Sequence, residues 1–226
     1  MRILGVDPSL TNYGWAIHDD SYPVGSPERC EARGRFKTPS KMEFVVRYMT
    51  MRDSLRDLIR EYKPDRVGVE YPVFNNLYSE GMYGLFLYTC EALRSEHMDV
   101  VFWSPLQAKA HARDSIDRPK GWKMDKADMV EAAKKDVGGG RNWNHNEADA
   151  YLVAVLSGRF WKFFDGVLQE GGLTPTEFRY FTAVHTFKKG RRAGKTIKKG
   201  VIHREDERFF RWSQLRDQGE TNAEKK

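Results

Sequence analysis

Arg2-Ile3-Leu4-Gly5-Val6-Asp7-Pro8-Ser9-Leu10-Thr11-Asn12-Tyr13 is the stretch on which the reading of this chain turns. Ile3, Leu4 and Val6 fall within four positions, as in a strand buried on both faces, and Asp7-Pro8-Ser9 then breaks the pattern with turn chemistry. Asp7 is thereby placed at a strand end. Open sheets present reactive groups there, and a carboxylate meets solvent or ligand without the full cost of burial. Taken alone, the stretch is equally compatible with an Asx-type turn ahead of Gly14.

Working outward, the same design recurs. Asp65 to Glu70 holds Val67 and Val69, ends in an acid and is followed at once by Tyr71-Pro72. If the two strands are neighbours, about 4.8 Å apart, Asp7 and Glu70 meet on one edge of the sheet. Two carboxylates that close repel unless a proton or cation lies between them, which implies a divalent metal. The competing reading pairs Glu70 with an arginine. A third acid comes late: Asn144-His145-Asn146-Glu147-Ala148-Asp149-Ala150 opens an apolar helix whose alanines allow tight packing on a sheet. Asn146 and Asp149 share a face, His145 lies four residues before Asp149, and Glu147 is offset by two. The alternative role for Glu147 is that of a first-turn helix acid.

Between these points, Tyr13 to His18 and Cys30 to Lys37 read as strands that complete an antiparallel trio. Thr38-Pro39-Ser40 marks a helix start, with Phe44, Tyr48, Met51, Leu55, Leu58 and Tyr62 at helical spacing. Arg47, Arg52, Arg56 and Arg60 are expected on its solvated side. Tyr71 to Gly84 is rich in aromatic, amide and glycine residues, and Phe74 is its candidate wedge into a nucleic-acid duplex; packing on the next helix or on a second subunit is the alternative. A helix to about His97 and a fifth strand, Asp99 to Trp103, follow. Ser104-Pro105-Leu106-Gln107 opens a helix that carries Lys109, His111 and Arg113 toward the acidic edge. A further helix runs from about Lys123 to Val137, with Lys126 in its first turn.

The 226 residues suit one domain with an appendage, or two small domains. A surplus of 38 − 32 = +6 charges and a pI near 9.2 suggest an anionic partner. Cys30 and Cys90 have no neighbours that would make a zinc site or a disulfide framework, and no apolar run approaches a membrane span. A soluble cytoplasmic protein is expected. Beyond residue 165 the character changes. Thr174-Pro175-Thr176-Glu177 reads as a capping box, and Thr186 to Arg204 holds Lys188, Lys189, Arg191, Arg192, Lys195, Lys198, Lys199 and Arg204 with no acid. The expected division is 1–165 and a basic extension, 166–226, whose glycines permit a hairpin or flexible arm along a phosphate backbone. A solubilising tail or a protein-docking arm is the alternative.

A strand ending at Asp7, a strand ending at Glu70 and a helix opening with Asp149, in that order, resemble the RuvC family of Holliday-junction endonucleases within the RNase H-like superfamily. The likeness covers residues 2 to about 160. It implies an α/β RNase H-like fold, a five-stranded mixed sheet flanked by helices, with Asp7, Glu70 and Asp149 as magnesium ligands, manganese substituting. It also implies that Lys109 and Lys126 sit near the scissile phosphate and that the Phe74 region probes the junction. One slot departs from the pattern: three residues before Asp149 stands Asn146, so Asn146, Glu147 or His145 completes the site. The expected chemistry is two-metal hydrolysis of DNA four-way junctions by paired nicks, carried out by a homodimer in recombination and repair, and the appended basic tail suggests a bacteriophage version. Two rivals stay open, an RNase H-like nuclease for other branched DNA or RNA, and a catalytically idle nucleic-acid-binding protein.

Overall fold

The computed structural model describes residues 1–72, 79–140, 142–182, 184–186, 196–204 and 209–214, the last three stretches by backbone alone. In β1 (Arg2–Asp7) the alternation of a strand sends Leu4 and Val6 to one face of the sheet and Ile3 and Gly5 to the other. β2 (Asn12–Asp19) pairs antiparallel with β1, and β3 (Cys30–Lys37) antiparallel with β2. β4 (Arg66–Glu70) lies parallel on the other side of β1, and β5 (Val100–Trp103) parallel to β4. The order β3-β2-β1-β4-β5 is the five-stranded mixed sheet expected from the sequence.

The sheet continues past β5. Along the chain come β6 (Val184–Thr186), β7 (Thr196–Arg204) and β8 (Phe209–Gln214). β8 pairs parallel with β5, β7 antiparallel with β8, and β6 antiparallel with β7. The chain beyond residue 183 thus contributes a ladder to the sheet as well as a hairpin.

Leu4, Val6, Val67, Val69, Val100 and Phe102 pack beneath α1 (Phe44–Tyr62) and α2 (Ser79–Ser95). On the opposite face lie α3 (Pro105–Ser115), α4 (Lys126–Asp136), α5 (His145–Phe164) and α6 (Pro175–Phe181). α5 runs unusually close to the sheet because Gly5 and Gly68 present no Cβ: one added at Gly5 would overlap the Ala150 carbonyl, and one at Gly68 the Ser157 hydroxyl. That approach brings the first turns of α5 to the C-terminal ends of β1 and β4.

Two local readings are corrected. α1 starts at Phe44 rather than near Thr38, because the intervening turn is held otherwise: the Thr38 hydroxyl donates to the Leu10 carbonyl at 2.9 Å. Arg47 is not on a solvated face but only 3% exposed. Its guanidinium donates to the carbonyls of Pro39, Ser40 and Met42, each at 2.9 Å, so a cation satisfies backbone groups the missing helical turn would have paired. Among the described residues no helix is long and apolar enough to cross a membrane.

Candidate active site

Val6 of β1 stands opposite Val69 of β4 in parallel register, so the next residues, Asp7 and Glu70, end adjacent strands side by side. The third acid, Asp149, comes from the second turn of α5. The three charges act on one another. Burial is the main reason the Asp7 carboxyl is held well above the ordinary carboxylate range, and repulsion from Glu70 and Asp149 adds to it, with Lys126 opposing. Glu70 is pushed up to about 8 by burial and by Asp149, against the pull of Lys109. Burial raises Asp149 to about 6, although Lys109 and Lys126 both favour its charged form. One oxygen of Asp149, Oδ1, is buried with no hydrogen-bond partner.

A rim that concentrates negative charge, desolvates it and leaves a carboxylate oxygen unsatisfied suits a cation better than it suits folding. The donors are hard oxygens, which fit magnesium or manganese. Among the described residues no group of three or more His, Cys, Asp or Glu side chains has drawn in to metal-ligand geometry.

The cations come from the opposite wall. Lys109 stands on the exposed side of α3, after a capping box in which the Ser104 hydroxyl accepts from the Gln107 backbone N–H and the Gln107 side chain accepts from the Ser104 N–H. Lys126 is the first residue of α4, capped by Asp125. Its ammonium lies 3.3 Å from Nε2 of His145, and burial together with Lys126 and Arg35 holds that imidazole below its usual pKa.

The other candidates sort differently. Asn146 donates from its side-chain amide to the Asn12 carbonyl at 2.6 Å and so ties the start of α5 to β2. Glu147, expected as a candidate metal ligand, has its carboxylate 3.0 Å from Arg33 and 3.4 Å from Arg35 and closes the capping box with Asn144. Arg33 also stacks over Trp143 at 4.1 Å. Arg33 and Arg35, one strand period apart on β3, were the signal for this that the sequence reading did not use. His111 faces away from the acidic rim into the core, 3.6 Å from Glu177. Phe74, Lys188, Lys189, Arg191, Arg192 and Lys195 lie outside the described residues, and Lys198 and Lys199 are described only as positions on β7.

This architecture, with acids at the ends of two central parallel-paired strands and on the crossing helix, defines an RNase H-like α/β protein. Thermus thermophilus RuvC in complex with Holliday junction substrate has the same fold, with a TM-score of 0.58 at 15% identity over 74% of this chain and 97% of that one. A second Thermus thermophilus RuvC structure gives 0.57 at 16% identity. In sequence, the crossover junction endodeoxyribonuclease RuvC of Rhizobium rhizogenes is 33% identical over 75 residues, which is 33% of this chain and 42% of that protein. RuvC of Halothermothrix orenii is 37% identical over 75 residues, 44% of its length. The chain is therefore related to the RuvC-like Holliday junction resolvases, although it spans less than half the length of these curated relatives. No protein-family model matches it.

Proposed function

We propose that this protein is a magnesium-dependent, structure-selective endonuclease that resolves four-way DNA junctions by paired nicks. The observation that carries the reading is the acidic rim: Asp7, Glu70 and Asp149 are mutually repelling, desolvated and met by Lys109 and Lys126. Magnesium, when bound by these carboxylates, would activate water and offset charge on the leaving oxygen. The chain's own groups do the rest. Asp7 and Glu70 are carried to one edge by the β1–β4 ladder, and Asp149 by the close approach of α5, so the three carboxylates share that edge before substrate arrives. Lys109 and Lys126 supply positive charge where a pentacoordinate phosphate gathers negative charge.

Junction resolution needs two related nicks, and a two-fold enzyme matches a two-fold substrate. Val45 and Met49 on α1 and Leu87 on α2 are exposed on the face away from α5, which supports burial of that face against a second copy. The basic residues Lys188, Lys189, Arg191, Arg192, Lys195, Lys198 and Lys199 of the extension 166–226 are assigned to the phosphate backbone, and Phe74 to the junction opening. A second reading, an idle junction-binding protein, is favoured only by the amide at Asn146.

The deciding experiment is nicking of a mobile four-way junction with magnesium, beside flap, hybrid and linear duplex controls. Symmetric nicks that vanish with chelator and in Asp7→Asn are expected. Equal cutting of all substrates moves the assignment to a general nuclease, and tight junction binding without nicks moves it to the idle binder.

A further inference from the structure

Beside the acidic rim lies a cavity of about 260 Å³ to which no role has yet been given. One wall is a stripe of α3, Leu106, Lys109 and Arg113, at the three- and four-residue steps that align side chains on one helix face. The other is the loop ahead of α4, with Trp122, Lys123 and Met124. With Ala110, seven residues line the cavity; three are cations and none is an acid. Arg113 pairs with Asp114 at 2.6 Å, whereas Lys109 and Lys123 form no ion pair among the described residues.

The aromatic wall is fixed in advance. The indole N–H of Trp122 donates to Asp128 at 2.9 Å, the Trp122 backbone N–H donates to the Pro119 carbonyl at 3.0 Å, and Arg118 stands over the ring at 5.3 Å. Trp122 as a residue nonetheless remains 48% exposed, and Leu106 is 78% exposed. An indole held rigid by its polar edge while its surface stays open is a stacking platform. The cavity is smaller than the roughly 300–1,000 Å³ typical of drug-sized ligands, which suits a single planar ring. Lys109 belongs to both places: it lines this cavity, and its charge acts on Glu70 and Asp149.

We infer that the cavity holds one unstacked nucleotide of the strand being cut, its base on Trp122 between Leu106 and Met124, its phosphate between Lys109 and Lys123. This rests on the endonuclease reading and adds to it how the scissile strand is held in register. A nucleotide pulled from the stack close to the exchange point, where bases are already strained, fixes which phosphodiester reaches the carboxylates.

The test is a single-abasic scan. In the Asp7→Asn background, where binding is read without cleavage, one nucleotide at a time is removed from each strand of a four-way junction near the exchange point. One abasic position should weaken binding about tenfold, as expected for a lost stacking contact. Trp122→Ala should weaken the intact junction to the same extent and become indifferent to that position, and Trp122→Phe should restore sensitivity. Lys123→Ala should lower the salt dependence of binding. Abasic and Trp122→Ala losses that simply add, or no loss in a Trp122→Ala protein with unchanged circular dichroism and Tm, overturn the inference. If four-way junctions bind no better than duplex, the junction reading fails separately; the scan is then run on a single strand of the same sequence. Non-additivity there supports the nucleotide pocket, and additivity overturns it.

Discussion

Two clusters of acids lean on the same helix, α5, and the protein treats them in opposite ways. At its beginning, Asp149 joins Asp7 and Glu70, all three held above the usual carboxylate range by burial, and Asp7 and Glu70 also by repulsion from neighbouring acids. Three turns further on, Arg159 grips Glu177 of α6 with two hydrogen bonds of 2.7 Å, and the Thr174 cap and His111 complete the cage. Burial works against the charge on Glu177 as well, but these partners outweigh it and hold its pKa below normal. Asp136 has similar company, from Arg29 at 2.8 Å and the Tyr151 hydroxyl at 2.5 Å. A buried acid whose charge is answered is tolerated by the fold, and one whose charge is left unanswered destabilises it until something else arrives.

The contrast can be broken at several points, the largest effect first. Asp7→Asn should reduce nicking by about three orders of magnitude or more, since the metal site contributes several kcal/mol to transition-state stabilisation; a retained rate in single-turnover assays would remove the acidic rim from the mechanism. Lys126→Ala should slow nicking about 10²-fold while junction affinity changes little, a split measured by comparing rates with gel-shift binding. Glu177→Ala, on the answered side, should cost about 2–3 kcal/mol, less than for a fully buried pair because the Arg159 side chain is 34% exposed. A fall in Tm of roughly 5–10 °C, read by thermal melts, is expected from it, with nicking below the new Tm retained.

The pH dependence separates the clusters further. Unfolded carboxylates titrate near 4, whereas in the folded protein Glu70 is raised to about 8 and Asp149 to about 6. Between these values the native state holds protons that the unfolded chain has released. Without divalent cations, stability therefore falls as pH rises from about 4 to 8. Asp7→Asn relieves part of the repulsion and should raise Tm by about 2–4 °C at pH 8, a gain that shrinks toward pH 4 and when magnesium is added to the wild type. The smallest effect is expected at Glu147→Gln. Its magnesium requirement should be unchanged, because Arg33 and Arg35 already answer that carboxylate, and its stability should drop by about 1 kcal/mol in denaturant titrations.

Much of the site could be read from local pattern. An apolar run that ends in an acid says where Asp7 and Glu70 sit along their strands, and the alanines and small residues of 148–158 announce a helix that presses on a sheet. What local pattern does not contain is who lies opposite. Glu147 reads as a free first-turn acid until β3 places Arg33 and Arg35 beside it, more than a hundred residues away in sequence. Arg47 reads as a surface cation for the same reason, since nothing in its helical spacing reveals the carbonyls of 39, 40 and 42 turned toward it. The partnership of β8 with β5 was equally hidden, because Phe209–Gln214 lies beyond the basic, glycine-spaced segment and carries no mark of the strand it will join.

That last pairing has a consequence for how the protein keeps to itself. β5 is four residues long and wholly buried, and on the side away from β4 its peptide groups are met by β8. Cut the chain after α6 and this hydrophobic strand is left with an unguarded flank, open to recruiting the corresponding strand of another molecule. The tail that looks dispensable by composition is then the seal on that edge of the sheet against end-over-end pairing with another copy.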